Sequence, residues 1–250
     1  MGMLISEIYQ SRQGEGLLTG TPSVFVRTSG CNLRCSFCDT PFASWKPEGE
    51  NLSIEQIVQR VRAAALGSTP ESNSDFDEEL TGSEESKHVV LTGGEPMLPR
   101  EIESLCQELH VLGFHITIET AGTIHRQLNC DLMSISPKFS NSDPTESRAG
   151  VWRAKHQSTR HRPAIVNQMI SEYDYQIKFV VDVPGDVDEI TDYLKTIEGH
   201  NPSRVLLMPQ GIELGELQAK EEWLVPLAEK HGFTFCPRRH IQWYGNKRGT

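Results

Sequence analysis

An open, partial (β/α)6 TIM-like barrel with parallel strands is the α/β fold class this sequence predicts, and three observations carry it. Short apolar strands alternate with helical stretches, six such strands can be counted, and 250 residues at 37% hydrophobic content suffice for one large core. Parallel neighbours joined by helices imply right-handed crossovers. A closed barrel of this kind takes eight units, so six leave it open.

The elements follow in order. Residues 23–27 (SVFVR) read as the first strand, and Ser53 caps a helix that opens with Ile54, Glu55, Gln56 and Ile57. Residues 87–91 (KHVVL) form the second strand. A helix near 99–112 follows, with Ile102, Leu105, Leu109 and Leu112 on one face. Strands at 114–119, 131–136 and 176–181 come next, then a helix near 186–198, a sixth strand at 204–208 and a last helix near 216–231. Two stretches break the rhythm. Residues 67–86 hold seven acids and only Phe76 and Leu80 as bulky apolar residues, so they are expected to form a flexible, non-catalytic acidic insertion. Residues 138–163 are basic and poor in apolar residues, and read as a loop over one end of the sheet. A single domain spanning 1–250 is expected.

Charge and composition narrow the function. Acids outnumber Lys and Arg by 34 to 24, the reverse of a nucleic-acid binder. No apolar run approaches the roughly 18 residues of a membrane helix. Residues 1–7 (MGMLISE) lack the basic and apolar regions of a signal peptide, so a cytoplasmic protein is expected. In that compartment six Cys argue for metal or redox chemistry rather than a disulfide framework.

Three of the six, Cys31, Cys35 and Cys38, share one short loop with the spacing C-x₃-C-x₂-C, directly after the first strand. Three thiolates so held can each bind one iron of a [4Fe–4S] cube, leaving the fourth iron open where a ferredoxin would supply another Cys. A structural zinc site is the plainer alternative, although it wants four ligands at tighter paired spacing. Cys106, Cys130 and Cys236 lie in apolar surroundings and read as inert buried thiols.

The Cys spacing, with aromatic Phe37 just before the third Cys, resembles the radical S-adenosylmethionine (SAM) enzymes. The Leu91-Thr92-Gly93-Gly94-Glu95-Pro96 strand end agrees with that resemblance, as does Ser136-Pro137-Lys138 after the fourth strand. It implies that the open iron chelates the methionine part of SAM and that one-electron reduction yields a 5′-deoxyadenosyl radical. It also implies SAM contacts from Phe37, Gly94, Glu95, Ser136, Pro137, Lys138 and Lys178.

Further segments are similar to the 7-carboxy-7-deazaguanine synthase family. These are Gln13-Gly14-Glu15-Gly16, Phe25 to Cys31, the Cys38-Asp39-Thr40 ending, Glu119-Thr120-Ala121-Gly122-Thr123, Ile135 to Lys138, and the tail from Trp243 to Thr250. Position 12 departs from the pattern, with Arg12 where relatives carry an aliphatic residue. The resemblance implies conversion of 6-carboxy-5,6,7,8-tetrahydropterin to 7-carboxy-7-deazaguanine with loss of ammonia, in deazapurine (queuosine-type) biosynthesis. It implies Mg²⁺ held by Thr40, and substrate contacts from Arg12, Gln13, Gly14, Glu15, Arg27, Thr92 and Thr250. A C-terminal tail, residues 237–250, would close the site, with the Thr250 carboxylate facing the pterin. A low-potential electron donor of the flavodoxin or ferredoxin type and a homodimer are further implications. Two other readings stand beside it: a glycyl-radical-activating or other radical SAM enzyme, and an iron–sulfur electron carrier that turns over no substrate.

Replacing Cys31, Cys35 or Cys38 by Ala should abolish the visible cluster absorbance of reconstituted protein, whereas Ala at Cys106, Cys130 and Cys236 should preserve it. Full iron content in the Cys35→Ala protein would refute the assignment.

Overall fold

The computed structural model describes residues 2–67 and 86–250. Its centre is the expected run of parallel strands: β2 (Pro22–Thr28), β4 (His88–Gly93), β5 (His115–Thr120), β6 (Leu132–Ile135), β7 (Tyr175–Val181) and β8 (Val205–Pro209), hydrogen-bonded in that order. Two antiparallel strands that the sequence did not announce precede them at one edge. β1 (Gly2–Arg12) pairs with β2, and β3 (Glu50–Ser53) pairs with β1. A two-residue strand, β9 (Thr234–Phe235), extends the other edge, giving nine strands in the order β3-β1-β2-β4-β5-β6-β7-β8-β9. The sheet curls as a partial barrel and stays open between its edges.

The strand sequences explain which face is buried. Side chains alternate with period two. On one face Val24, Val26, Val89, Leu91, Ile116, Ile118, Ile177, Phe179 and Leu207 join one continuous apolar core beneath the helices. On the other face, towards the barrel interior, stand Arg27, Thr92, Glu119, Ser134, Ser136 and Lys178. Polar groups inside a barrel are tolerated only when partnered or facing a cavity.

Helix α1 is a single turn, Pro41–Ser44, with Pro in its first turn. α2 (Ile54–Ala65) begins as expected at Ser53: the Ser53 hydroxyl accepts from Gln56 N, and the Gln56 side chain accepts from Ser53 N at 2.8 Å. α3 (Ile102–Val111) follows β4. Residues 138–163 are a correction to the expected loop. They carry a 3₁₀ turn at Ser140–Ser142, then α4 (Glu146–Ala149) and α5 (Trp152–Arg160). Their buried side chains include Ser142 and His156 rather than an aliphatic stripe, so the apolar periodicity that marks a helix is missing. α6 (Pro163–Glu172), α7 (Asp186–Leu194) and α8 (Leu214–His231) complete the helical layer, and α9 (Arg239–Tyr244) opens the tail. The acidic stretch 67–86 lies outside the described residues except for its flanks, where Ser86 N donates to Ala65 O at 3.0 Å. Among the described residues no helix is long and apolar enough to cross a membrane.

Ser53→Ala removes one half of the capping box and should lower stability by about 1 kcal/mol in urea unfolding, with the native spectrum unchanged.

Candidate active site

The carboxyl ends of the parallel strands open into a cavity of about 520 Å³ that the Cys loop, the strand ends, β1 and the tail line together. A broader depression of about 920 Å³ between α2 and α3 has mixed charges and no thiol, and no chemistry converges there.

Cys31, Cys35 and Cys38 all line the cavity, and none of the six thiols is in a disulfide. The loop is held from outside by backbone and side-chain contacts. Ser36 N donates to Ser142 O at 2.9 Å, Trp45 Nε1 to Cys35 O at 3.1 Å, and Arg148 Nη1 to Ser36 O at 2.6 Å. The segment after β4 presses on the loop from inside. Glu95 N donates to Gly30 O at 2.9 Å, and a Cβ on Gly94 would fall 2.0 Å from that oxygen, so only Gly fits at position 94.

These residues fit an iron–sulfur cube. Among the described residues Cys31, Cys35 and Cys38 are the cysteines that line the cavity, which suits a cube with one open iron. A cube spreads its thiolates over three different irons. Burial pushes the Cys31 and Cys35 thiols up to about 12, with Glu95 adding to the rise at Cys31 and Lys138 opposing it at Cys35. Iron cations would supply the charge that makes thiolates stable in this setting.

On the side implied for SAM, Phe37, Gly94, Ser136 and Lys138 line the cavity. Lys138 Nζ donates to Ser136 O and Oγ at 2.8 and 2.6 Å. Glu95 and Pro137 depart from the expectation, because neither lines the cavity. The Glu95 carboxylate is fully buried and accepts from Thr120 Oγ1 at 2.8 Å, Ala121 N at 2.9 Å and Met97 N at 3.1 Å. It braces the end of β4 against the end of β5, and so shapes the turn that carries Gly94.

The opposite wall is a network of charges. Lys178 lies between Glu15 at 2.5 Å and Glu119 at 3.6 Å. Arg238 donates through Nε to Glu15 Oε1 at 3.1 Å, through Nη2 to Asp39 Oδ2 at 2.5 Å and through Nη1 to Gly211 O at 2.5 Å. Burial would raise Glu15, but Lys178, then Arg238 and His240, overcome it and hold the carboxyl far below its ordinary range. Arg27 donates to Glu7 Oε1 at 2.6 Å and to Tyr9 Oη at 2.9 Å. Thr92 Oγ1 donates to Glu119 Oε2 at 2.8 Å. Gln13 is buried and donates to Ser23 Oγ at 2.9 Å. Arg12 borders the cavity while its guanidinium donates to Gly20 O at 3.1 Å. Gly14 packs against His240, with no room for a Cβ.

Residues 25–163 match the radical SAM superfamily. The 7-carboxy-7-deazaguanine synthase of Rhodopirellula baltica is 45% identical over 250 residues, covering 99% of this chain and 89% of the relative. The chain belongs to the 7-carboxy-7-deazaguanine synthase family. The synthase of Halobacterium salinarum is 41% identical over 246 residues, covering 95% of this chain and 88% of the relative. The crystal structure of QueE from Escherichia coli shares the fold at a TM-score of 0.69, covering 96% of this chain and 95% of that chain at 21% identity.

Sequence reasoning missed several residues of this synthase-family cavity: Glu7, Tyr9, Asp39, Glu119, Arg238, His240 and Arg248. Glu7 and Tyr9 lie on the unannounced β1, beyond a register shift between Ile5 and Glu7. Arg248 reaches back from the tail to Glu7 Oε2 at 3.0 Å and lies 4.0 Å from the centre of the Phe42 ring. Thr40 and Thr250 border the same cavity. The tail expected to close the site, residues 237–250, contains Arg238 and Arg248 and was the one signal that pointed to them.

His156 was also missed. It is fully buried, and its Nδ1 accepts from Arg34 N at 3.0 Å, between the first two loop cysteines. Ser142 Oγ donates to Phe139 O at 2.6 Å, so its oxygen is left to accept from His156 Nε2–H at 3.0 Å. That assigns the neutral Nε2–H tautomer. Burial pushes His156 down to about 4, below the ordinary value of about 6.5 in an unfolded chain. The unfolded chain therefore takes the proton first. The associated stability is complete above about pH 6.5 and is lost as pH falls towards 4, on the order of 3 kcal/mol in all. Urea unfolding at pH 7 and pH 5 should show a larger loss for the wild type than for His156→Asn, by roughly 2 kcal/mol. Equal losses in the two proteins would rule this out.

Proposed function

We propose that this chain converts 6-carboxy-5,6,7,8-tetrahydropterin to 7-carboxy-7-deazaguanine with release of ammonia. The observation that carries the reading is the division of one cavity into a wall of three thiols and a facing wall of paired acids and bases. A bare electron carrier has no use for the second wall. A [4Fe–4S] cluster on Cys31, Cys35 and Cys38, with SAM beside Phe37, Gly94, Ser136 and Lys138, would when bound and reduced by one electron supply hydrogen-atom abstraction from the substrate.

The chain's own residues orient the pterin and keep water away. Glu15, held as a carboxylate, accepts from the N–H groups of the amino-pyrimidine edge. Arg27 offers a planar fork to the substrate carboxylate, for which Glu7 competes in the structure described. Lys178 keeps Glu15 charged and holds Glu119 in place. Thr40 supplies an oxygen to Mg²⁺, a hard ion that keeps several waters and takes few protein ligands. The tail, tied to β1 through Arg248 and Glu7, closes the open side of the barrel over the substrate. A cytoplasmic setting, a homodimeric assembly and a low-potential one-electron donor go with this reading.

Anaerobically reconstituted protein supplied with SAM, reductant and the carboxy-tetrahydropterin should form the deazaguanine and ammonia. Glu15→Gln should raise KM at least tenfold with the cluster intact. Thr40→Ala should lose most of the Mg²⁺ stimulation. Cleavage of SAM with no pterin turnover would overturn the substrate assignment, and an unchanged KM in Glu15→Gln would remove Glu15 from it.

A further inference from the structure

The outer side of the Cys loop carries a charge pattern opposite to that of the whole chain. The formal net charge is −10. Between Thr145 and Pro163, however, Arg148, Arg153, Lys155, Arg160 and Arg162 face a single acid, Glu146. Arg160 is committed to Asp143 at 2.8 Å. Arg148, Arg153, Lys155 and Arg162 are exposed, and of these only Arg153 has a carboxylate neighbour among the described ion pairs, Glu146 at 3.9 Å.

The cations are arranged on aromatic rings that touch the loop. The Arg148 guanidinium lies 4.2 Å from the centre of the Trp45 ring, and Trp45 Nε1 donates to Cys35 O. Arg34, inside the loop, and Lys155 lie 3.9 and 4.2 Å from the centre of the Trp152 ring. Val151, next to Trp152, is 88% exposed. Aromatic residues and Arg are enriched at protein–protein interfaces. The thiols of the same loop line the cavity.

We propose that this surface, formed by α4, α5 and Trp45, docks an acidic one-electron carrier protein and passes its electron to the cluster through the outer wall of the Cys loop. The proposal rests on the cluster assignment made above. In the step one electron leaves the reduced carrier and enters the cluster; no bond forms or breaks. An acidic carrier meets net repulsion from the rest of this acidic chain, so a local basic patch both attracts it and selects its orientation.

The test uses a flavodoxin in its hydroquinone form and reconstituted full-length protein. Reversing Arg153 and Lys155 (Arg153→Glu with Lys155→Glu) should slow cluster reduction by flavodoxin at least tenfold at low ionic strength in stopped-flow absorbance, and the gap should shrink at high salt. Reduction by the methyl viologen radical cation should not slow. The affinity of the chain for oxidised flavodoxin, measured by titration calorimetry, should fall in parallel. Arg153→Glu alone, at a side chain whose one ionic neighbour is Glu146, should show a smaller loss of the same sign and controls for disturbance of Trp152. Equal flavodoxin rates and affinities in wild type and variants would overturn the surface. A wild-type chain that takes up no cluster fails in the viologen experiment as well, and removes the reading on which the surface rests.

Discussion

One buried carboxylate organises the charged half of the cavity. A carboxylate withdrawn from water is costly unless it is paired and hydrogen-bonded. Among the described residues Glu15 is paired with Lys178 from the middle of β7 and Arg238 from the segment before α9, with His240 of α9 at 3.8 Å. The charge requirement thus fixes the loop after β1, the barrel wall and the start of the tail relative to one another. Arg238 carries the constraint further by reaching Asp39, the neighbour of Cys38. One cation therefore serves the charged wall and the rim of the Cys loop together. Removing Glu15 altogether would leave Lys178 with Glu119 and Arg238 with Asp39 as their remaining carboxylate neighbours among the described ion pairs.

The strands do two jobs with one alternation. In β7, Ile177 and Phe179 pack into the apolar core while Lys178 and Val180 face the cavity. In β5, Ile116 and Ile118 are core and Glu119, at the strand's carboxyl end, is site. The apolar face supplies the stability that lets polar groups at the strand ends be held in fixed positions. Glu95 shows the same economy, since a residue of the Gly-Gly-Glu-Pro element acts by bracing the backbone turn that bears Gly94.

The parallel core and the Cys loop were legible because their signals are local. Six apolar runs of strand length and a three-Cys spacing are each contained within a few consecutive residues. β1 was not legible. Its sequence, GMLISEIYQSR, mixes core and site residues across a register shift, which breaks the clean alternation of a half-buried strand. α5 was missed because His156 and Trp152 anchor it through a hydrogen bond and a cation–π contact, neither of which leaves an apolar stripe. Arg238 could not be singled out among the basic residues of the tail, because its role depends on a carboxylate 223 positions away. Lys178 was expected beside SAM, and its commitment to Glu15 is equally non-local.

That distance bears on how the molecule assembles. The thiol wall is built from segments near in sequence: Cys31, Cys35, Cys38 and the turn at Gly94 span about 65 residues. The charged wall needs Glu15 and Arg238 to meet across 223. Loop-closure entropy makes the longer contact dearer by about 1 kcal/mol, and it has to wait for β7 and β8 to stand between its ends. By loop-closure entropy the thiol wall is the easier of the two to assemble, and the contact that anchors the start of the tail is the harder.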